Sequence, residues 1–121
     1  METFKNLKIL LGVTGSIAAY KSPLLVREFI KAGASVNVVM TPSAQHFVTR
    51  TVLSNLSGNP VICDMFDEEL QDKGAWHIQL AHWCDIMLIA PCTATTMARI
   101  ATGLCDTALS TLALALPKDK K

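Results

Sequence analysis

Four short apolar runs divide the chain at regular intervals. They lie at residues 7–13, 34–40, 61–66 and 86–91, and each contains valine, isoleucine or leucine. A continuously apolar run is typical of a strand that is buried on both faces, as in a parallel sheet. The sequence therefore predicts four strands, of which the last is the least ambiguous.

Helical patterns separate these strands. Ser22 as the N-cap and Pro23 in the first turn predict the start of a helix that ends near Gly33. The other predicted helices are one opened by Thr41-Pro42 and carrying Phe47, one at 52–56 ending at Gly58, one at 77–83, and one at 93–116 interrupted near Gly103. Residues 64–74 predict a solvated loop, because half of the ten acidic residues lie in this part of the chain. Strands alternating with helices predict a doubly wound, Rossmann-like three-layer α/β/α fold with a parallel sheet.

Composition narrows the class of protein. The 121 residues fit one domain spanning residues 1–121, and a hydrophobic content of 50% excludes disorder. A net charge of +1 gives no electrostatic case for nucleic acid or an acidic membrane. No apolar run is long enough to span a bilayer, and the N-terminus lacks the features of a secretory signal, so we expect a soluble cytoplasmic protein.

The low charge content of the last third of the chain has two interpretations. Between residues 93 and 116 only Arg99 and Asp106 are charged, which predicts either a buried helix pair or a subunit interface. The chain then ends in PKDKK, where another strand is due. We therefore expect the domain to be incomplete at its C-terminus.

Small and hydroxyl residues follow three of the predicted strands, at 15–18, 40–43 and 92–96. The carboxyl ends of parallel strands meet at one edge of a sheet, where backbone N–H groups and hydroxyls bind phosphate. The glycine spacing differs from G-x-G-x-x-G, and no carboxylate ends the second strand, so NAD is disfavoured. A P-loop lysine is also missing, which leaves a mononucleotide with a single phosphate.

Histidine is the main candidate for acid–base chemistry. His46 and His82 are most simply exposed residues, whereas His77 opens a short helix just before the last strand and is either structural or a catalytic acid–base group. His77 and His82 are five residues apart, on different helical faces, so we expect no shared metal. The four cysteines form no C-x-x-C pair and fit no zinc site, so reduced thiols are expected.

Five motifs in order resemble one known family. They are GVTGSIAAYK at 12–21, MTPSAQHF at 40–47, HIQLA at 77–81, PCTATT at 91–96 and GLCD at 103–106. Together they resemble the flavin-containing cysteine decarboxylases, and most closely the branch that acts on phosphopantothenoylcysteine in coenzyme A biosynthesis. The resemblance covers residues 7 to 116.

The resemblance implies a cofactor, a reaction and an assembly. FMN would oxidise the cysteine of the substrate to a thioaldehyde, carbon dioxide would leave, and re-reduction would give phosphopantetheine. His77 corresponds to the catalytic acid–base group of the family. Members assemble as homotrimers or dodecamers. The implied cofactor-binding residues are Gly15, Ser16, Ile17, Thr41, Phe47, Thr93, Ala94, Thr95 and Thr96.

Two departures from the family leave alternatives open. Cys92 stands where members commonly have alanine or serine, and the P-x-M-N motif and the cysteine-bearing substrate flap of the family do not occur in these residues. The alternatives are a peptidyl-cysteine decarboxylase, a flavin prenyltransferase, a non-catalytic flavin-binding regulatory subunit, or an α/β domain for another nucleotide.

Overall fold

The computed structural model describes residues 3–67, 70 and 74–121, and its centre is a parallel sheet. Within the described residues the sheet has three strands, β1 (Lys8–Val13), β2 (Ser35–Met40) and β3 (Ile86–Ile89). Their order is β2-β1-β3, with β1 in the centre and both neighbours parallel to it. The predicted parallel sheet is therefore confirmed.

Helices cover both faces of the sheet. In the described part of the chain the α-helices are α1 (Ser22–Lys31), α2 (Arg50–Ser57), α3 (Trp76–Trp83), α4 (Ala94–Thr102) and α5 (Ala108–Ala115). Side chains alternate along β1, so Ile9 and Leu11 pack with α1 and α2, whereas Leu10 packs with α3 and α5. The three-layer α/β/α architecture is confirmed.

The predicted strand at 61–66 is wrong. Only Ile62 pairs with β2, through a single parallel bridge to Val39. The reason is local, because the Asp64 carboxylate accepts a hydrogen bond of 2.9 Å from the Phe66 N–H and closes a turn. The predicted acidic loop at 64–74 is a turn over its described residues 64–67, and its residues 68–69 and 71–73 lie outside the described part of the chain.

Three boundaries also differ from the prediction. The last strand stops at Ile89 rather than at residue 91. Thr41-Pro42 opens a 3₁₀ helix, Pro42–His46, rather than an α-helix, and Phe47 caps its end. The N-cap of α1 is Lys21 rather than the predicted Ser22, because Ser22 is already helical and donates its hydroxyl to the Ala19 carbonyl at 2.7 Å.

The apolar C-terminal third divides at Gly103 into α4 and α5, as predicted. Gly103 has a φ of +76°, which lets the chain leave α4 in the left-handed conformation. Helix α5 is buried through Leu109 and Leu112, whereas α4 leaves Met97 56% exposed. The two helices are thus not a fully buried pair. Within the described residues, no helix is both long and apolar enough to cross a membrane.

Candidate functional site

The carboxyl ends of the three strands open onto one cleft of about 380 Å³, which we call the edge cleft. Five residues expected to bind a cofactor from the resemblance line it, together with four others. The lining residues are Gly15, Thr41, Pro42, Ser43, Thr93, Thr95, Thr96, Arg99 and Thr107. The predicted convergence of the three hydroxyl-rich loops on one edge of the sheet is therefore observed.

Gly15 and Ser43 form one wall of the edge cleft at unusually close range. A Cβ atom placed on Gly15 would lie 2.7 Å from the Ser43 Cβ and 2.9 Å from its carbonyl carbon. Both separations are shorter than carbon atoms tolerate, so only glycine allows the first two loops to approach this closely. The Thr41 hydroxyl lies 3.4 Å from the Ser43 hydroxyl on the same wall.

The N-terminus of α4 forms the opposite wall. The Thr93 hydroxyl accepts a hydrogen bond from the Thr96 N–H at 3.2 Å, and the Thr93 carbonyl accepts from the Met97 N–H at 3.0 Å. The N–H groups of Ala94 and Thr95 have no acceptor within the helix, since the first N–H groups of a helix never do. These two donors and the positive end of the helix dipole suit an anion.

Thr14 connects two walls of the cleft and was missed by the sequence analysis. Its side chain is fully buried, at 0% exposure. The hydroxyl donates to the Pro91 carbonyl and accepts from the Thr93 N–H, the second bond at 3.1 Å. One side chain therefore joins the loop after β1 to the loop after β3. A threonine in a small-residue loop gives no sequence signal for this function.

Arg99 brings a positive charge to the edge cleft. Its Nε donates a 2.9 Å hydrogen bond to the Asp106 carboxylate, which forms an ion pair across the turn at Gly103. Arg99 and Thr107 were not among the predicted site residues. The available signal was that Arg99 and Asp106 are the only charges between residues 93 and 116.

Four predicted cofactor-binding residues do not line the edge cleft. Ser16 caps the 3₁₀ helix Ile17–Lys21 by accepting from the Ala18 N–H at 3.2 Å, and Ile17 is 77% exposed. Phe47 is 42% exposed beyond the second loop. Ala94 is exposed and belongs to the helix end already described. Ser16, Ile17 and Phe47 flank the cleft along the chain, whereas Ala94 contributes its backbone N–H to the α4 N-terminus that forms one wall.

His77 lies in the first turn of α3 and is partly buried. Its ring meets the ring of Trp76 edge-on, with the centroids 5.6 Å apart. His77 does not line the edge cleft, and neither do His46 and His82, whose side chains are exposed. In the part of the chain that the structure describes, no three His, Cys, Asp or Glu side chains come together to hold a metal ion.

A family model described as Flavoprotein matches residues 2–121, which is nearly the whole chain. The chain belongs to the flavoprotein family. A curated relative is the coenzyme A biosynthesis bifunctional protein CoaBC of Vibrio parahaemolyticus, 44% identical over 115 residues. That alignment covers 95% of this chain but 29% of the relative, so the chain spans less than a third of that protein.

Solved structures of flavoprotein relatives share the fold. The FMN-dependent cysteine decarboxylase SpaF matches with a TM-score of 0.82 and 27% identity, covering 94% of this chain and 65% of SpaF. A cysteine-to-serine variant of PPC decarboxylase, complexed with pantothenoylaminoethenethiol, matches with a TM-score of 0.74 and 30% identity. That match covers 96% of this chain and 64% of the variant.

Cys92 comes directly before Thr93, which lines the edge cleft, and its side chain is half-buried. Burial raises the pKa of the Cys92 thiol above its ordinary value, which keeps the sulfur protonated near neutral pH. Its Sγ lies 3.8 Å from the Thr93 carbonyl. A protonated thiol is a weak nucleophile, so no chemistry is assigned to Cys92.

Proposed function

We propose that this chain binds FMN in the edge cleft and is the flavin-binding part of a phosphopantothenoylcysteine decarboxylase of coenzyme A biosynthesis. The observation that carries the proposal is the close approach of Gly15 to Ser43, opposite the N-terminus of α4. This arrangement leaves a polar recess whose donors suit one phosphate group.

The donor set of the edge cleft fits a flavin phosphate. Threonine and serine hydroxyls, the N–H groups at the start of α4 and the guanidinium of Arg99 are all hydrogen-bond donors. Aspartate and glutamate are absent from the described residues that line the cleft. The Asp106 carboxylate is ion-paired with Arg99 and does not itself line the cleft, so no unpaired negative charge on the described part of the wall repels a phosphate monoester.

Bound FMN supplies the two-electron oxidation of the cysteine moiety of the substrate and returns the electrons once carbon dioxide has left. The chain's own residues bind and orient the cofactor and handle protons. The hydroxyls of Thr41 and Ser43 and the α4 N-terminus hold the phosphate. An imidazole nitrogen of His77 takes the proton from the substrate thiol and later returns it.

In this proposal the natural protein is a homotrimer or a dodecamer of four trimers, with the flavin at a subunit boundary. Exposed apolar side chains support an assembly, because Ile17, Tyr20 and Leu24 are each at least 60% exposed and lie beside the first cleft loop. An assembly also accounts for His77, which lies outside the cleft of its own chain and would reach the cofactor across the boundary.

The coenzyme A branch is favoured over a peptidyl-cysteine decarboxylase by sequence identity. The chain is 44% identical to the CoaBC relative but 27% identical to SpaF, although both align over at least 94% of the chain. The substrate is therefore proposed to be phosphopantothenoylcysteine rather than a peptide C-terminus.

Two measurements test the proposal. Titration of the purified chain with FMN, followed by quenching of flavin fluorescence, is expected to show saturable binding, and its absence would contradict the cofactor assignment. In the full natural protein, His77→Asn is expected to keep FMN binding and to lower release of carbon dioxide from phosphopantothenoylcysteine by at least about 100-fold.

The exposed His82→Asn is the matched control for His77, since both histidines lie on α3. It is expected to retain full decarboxylation. Normal turnover in His77→Asn would remove His77 from the mechanism. FMN binding without any turnover by the unmodified protein would instead favour the regulatory subunit.

A further inference from the structure

We infer that Arg99, held in place by Asp106, makes the edge cleft select a phosphorylated flavin over the same flavin without its phosphate. The inference rests on the proposed function and adds a specificity-determining residue to it. Arg99 is the only formally charged residue among the described residues lining the cleft. It therefore supplies the positive charge that attracts a phosphate dianion.

The ion pair with Asp106 holds the guanidinium in place and leaves most of its hydrogen-bond donors available to a ligand. Asp106 accepts only from Nε in this structure, at 2.9 Å. An arginine carries five N–H donors, so Nη1 and Nη2 retain four of them for a second acceptor. An arginine side chain held by one carboxylate loses less rotational freedom when it binds a phosphate.

Asp106 therefore acts as a positioning residue. It follows the left-handed turn at Gly103, which brings the chain back alongside α4 and places the carboxylate beside Arg99. Thr107, the next residue, lines the cleft and caps α5 through a reciprocal pair of hydrogen bonds with Ser110. The turn thus anchors both Asp106 and the wall of the cleft behind it.

The experiment compares the Kd for FMN with the Kd for riboflavin, which has the same ring and ribityl chain but no phosphate. The unmodified chain is expected to bind FMN at least tenfold more tightly than riboflavin. In Arg99→Met that ratio is expected to fall about 10- to 100-fold, which is the usual strength of a charge-assisted hydrogen bond, while the riboflavin Kd stays unchanged.

The riboflavin measurement separates this inference from a folding defect, because a misfolded variant loses both flavins. Arg27→Met is the matched control, since Arg27 lies exposed on α1 and its removal changes the net charge equally. It is expected to keep the ratio. Asp106→Ala is expected to lower the ratio, and Asp106→Asn to preserve it, because the amide oxygen still accepts from Nε.

Three results would overturn the inference. Equal affinity of the unmodified chain for both flavins would overturn the selectivity and leave flavin binding intact. An equal loss of both flavins in Arg99→Met would assign Arg99 a structural role. Binding of neither flavin by the unmodified chain would overturn the proposed function together with this inference.

Discussion

Replacing Gly15 with alanine tests the close approach that shapes the edge cleft. The added Cβ would meet the Ser43 Cβ at 2.7 Å and the Ser43 carbonyl carbon at 2.9 Å. Carbon atoms prefer separations of about 3.5–4.0 Å, so the two loops must move apart by about 0.6–1.3 Å. One contact is with backbone, so rotation of the Ser43 side chain cannot relieve it. Overpacking of this kind costs about 1–3 kcal/mol.

The consequence for Gly15→Ala is weaker flavin binding. If this overpacking weakens the free energy of FMN binding by about 1–2 kcal/mol, the Kd for FMN rises about 5- to 30-fold, as measured by flavin fluorescence. Gly58→Ala is the control, because Gly58 ends α2 at a φ of +73° with open space around it. It costs about 1–2 kcal/mol of stability through backbone strain and leaves the Kd unchanged. Wild-type affinity in Gly15→Ala would refute the reasoning.

Two further predictions concern stability. Thr14→Val removes both hydrogen bonds of a buried hydroxyl and is expected to lower the free energy of unfolding, measured in urea, by about 1–3 kcal/mol. Thr14→Ser keeps the hydroxyl and is expected to retain most of that stability, so equal stability of the two variants would contradict this prediction. Burial raises the pKa of the Cys84 thiol, so the unfolded chain loses that proton at a lower pH than the folded chain does. The free energy of unfolding is therefore expected to fall as the pH rises through about 8.5, less steeply in Cys84→Ala, and an identical slope in that variant would contradict the assignment.

The sheet and the edge cleft were predictable from sequence because they depend on regular features. A continuous apolar run such as 9–13 is buried on both faces, and parallel strands necessarily place their carboxyl ends together. The loops that follow the strands therefore meet whatever their detailed conformation. This geometry is enough to bring Gly15, Thr41 and Thr93 to one edge.

The remaining features depend on single hydrogen bonds between residues distant in sequence or on local turns. The apolar content of 61–66 predicts a strand, but the Asp64 carboxylate bonds to a nearby backbone N–H and turns the chain away. Thr14 forms hydrogen bonds with Pro91 and Thr93, which lie 77 and 79 positions further along the chain, and no local sequence pattern predicts such bonds. Arg99 and Asp106 are seven apart and meet only because the chain reverses at Gly103.

The most direct test of the central claim is a crystal structure of this chain with FMN bound. The account predicts that the phosphate lies in the edge cleft beside Gly15, with its oxygens about 2.7–3.2 Å from the N–H groups of Ala94 and Thr95 and from the guanidinium of Arg99. A phosphate directed into solvent, or a flavin ring occupying the N-terminus of α4 in its place, would contradict it.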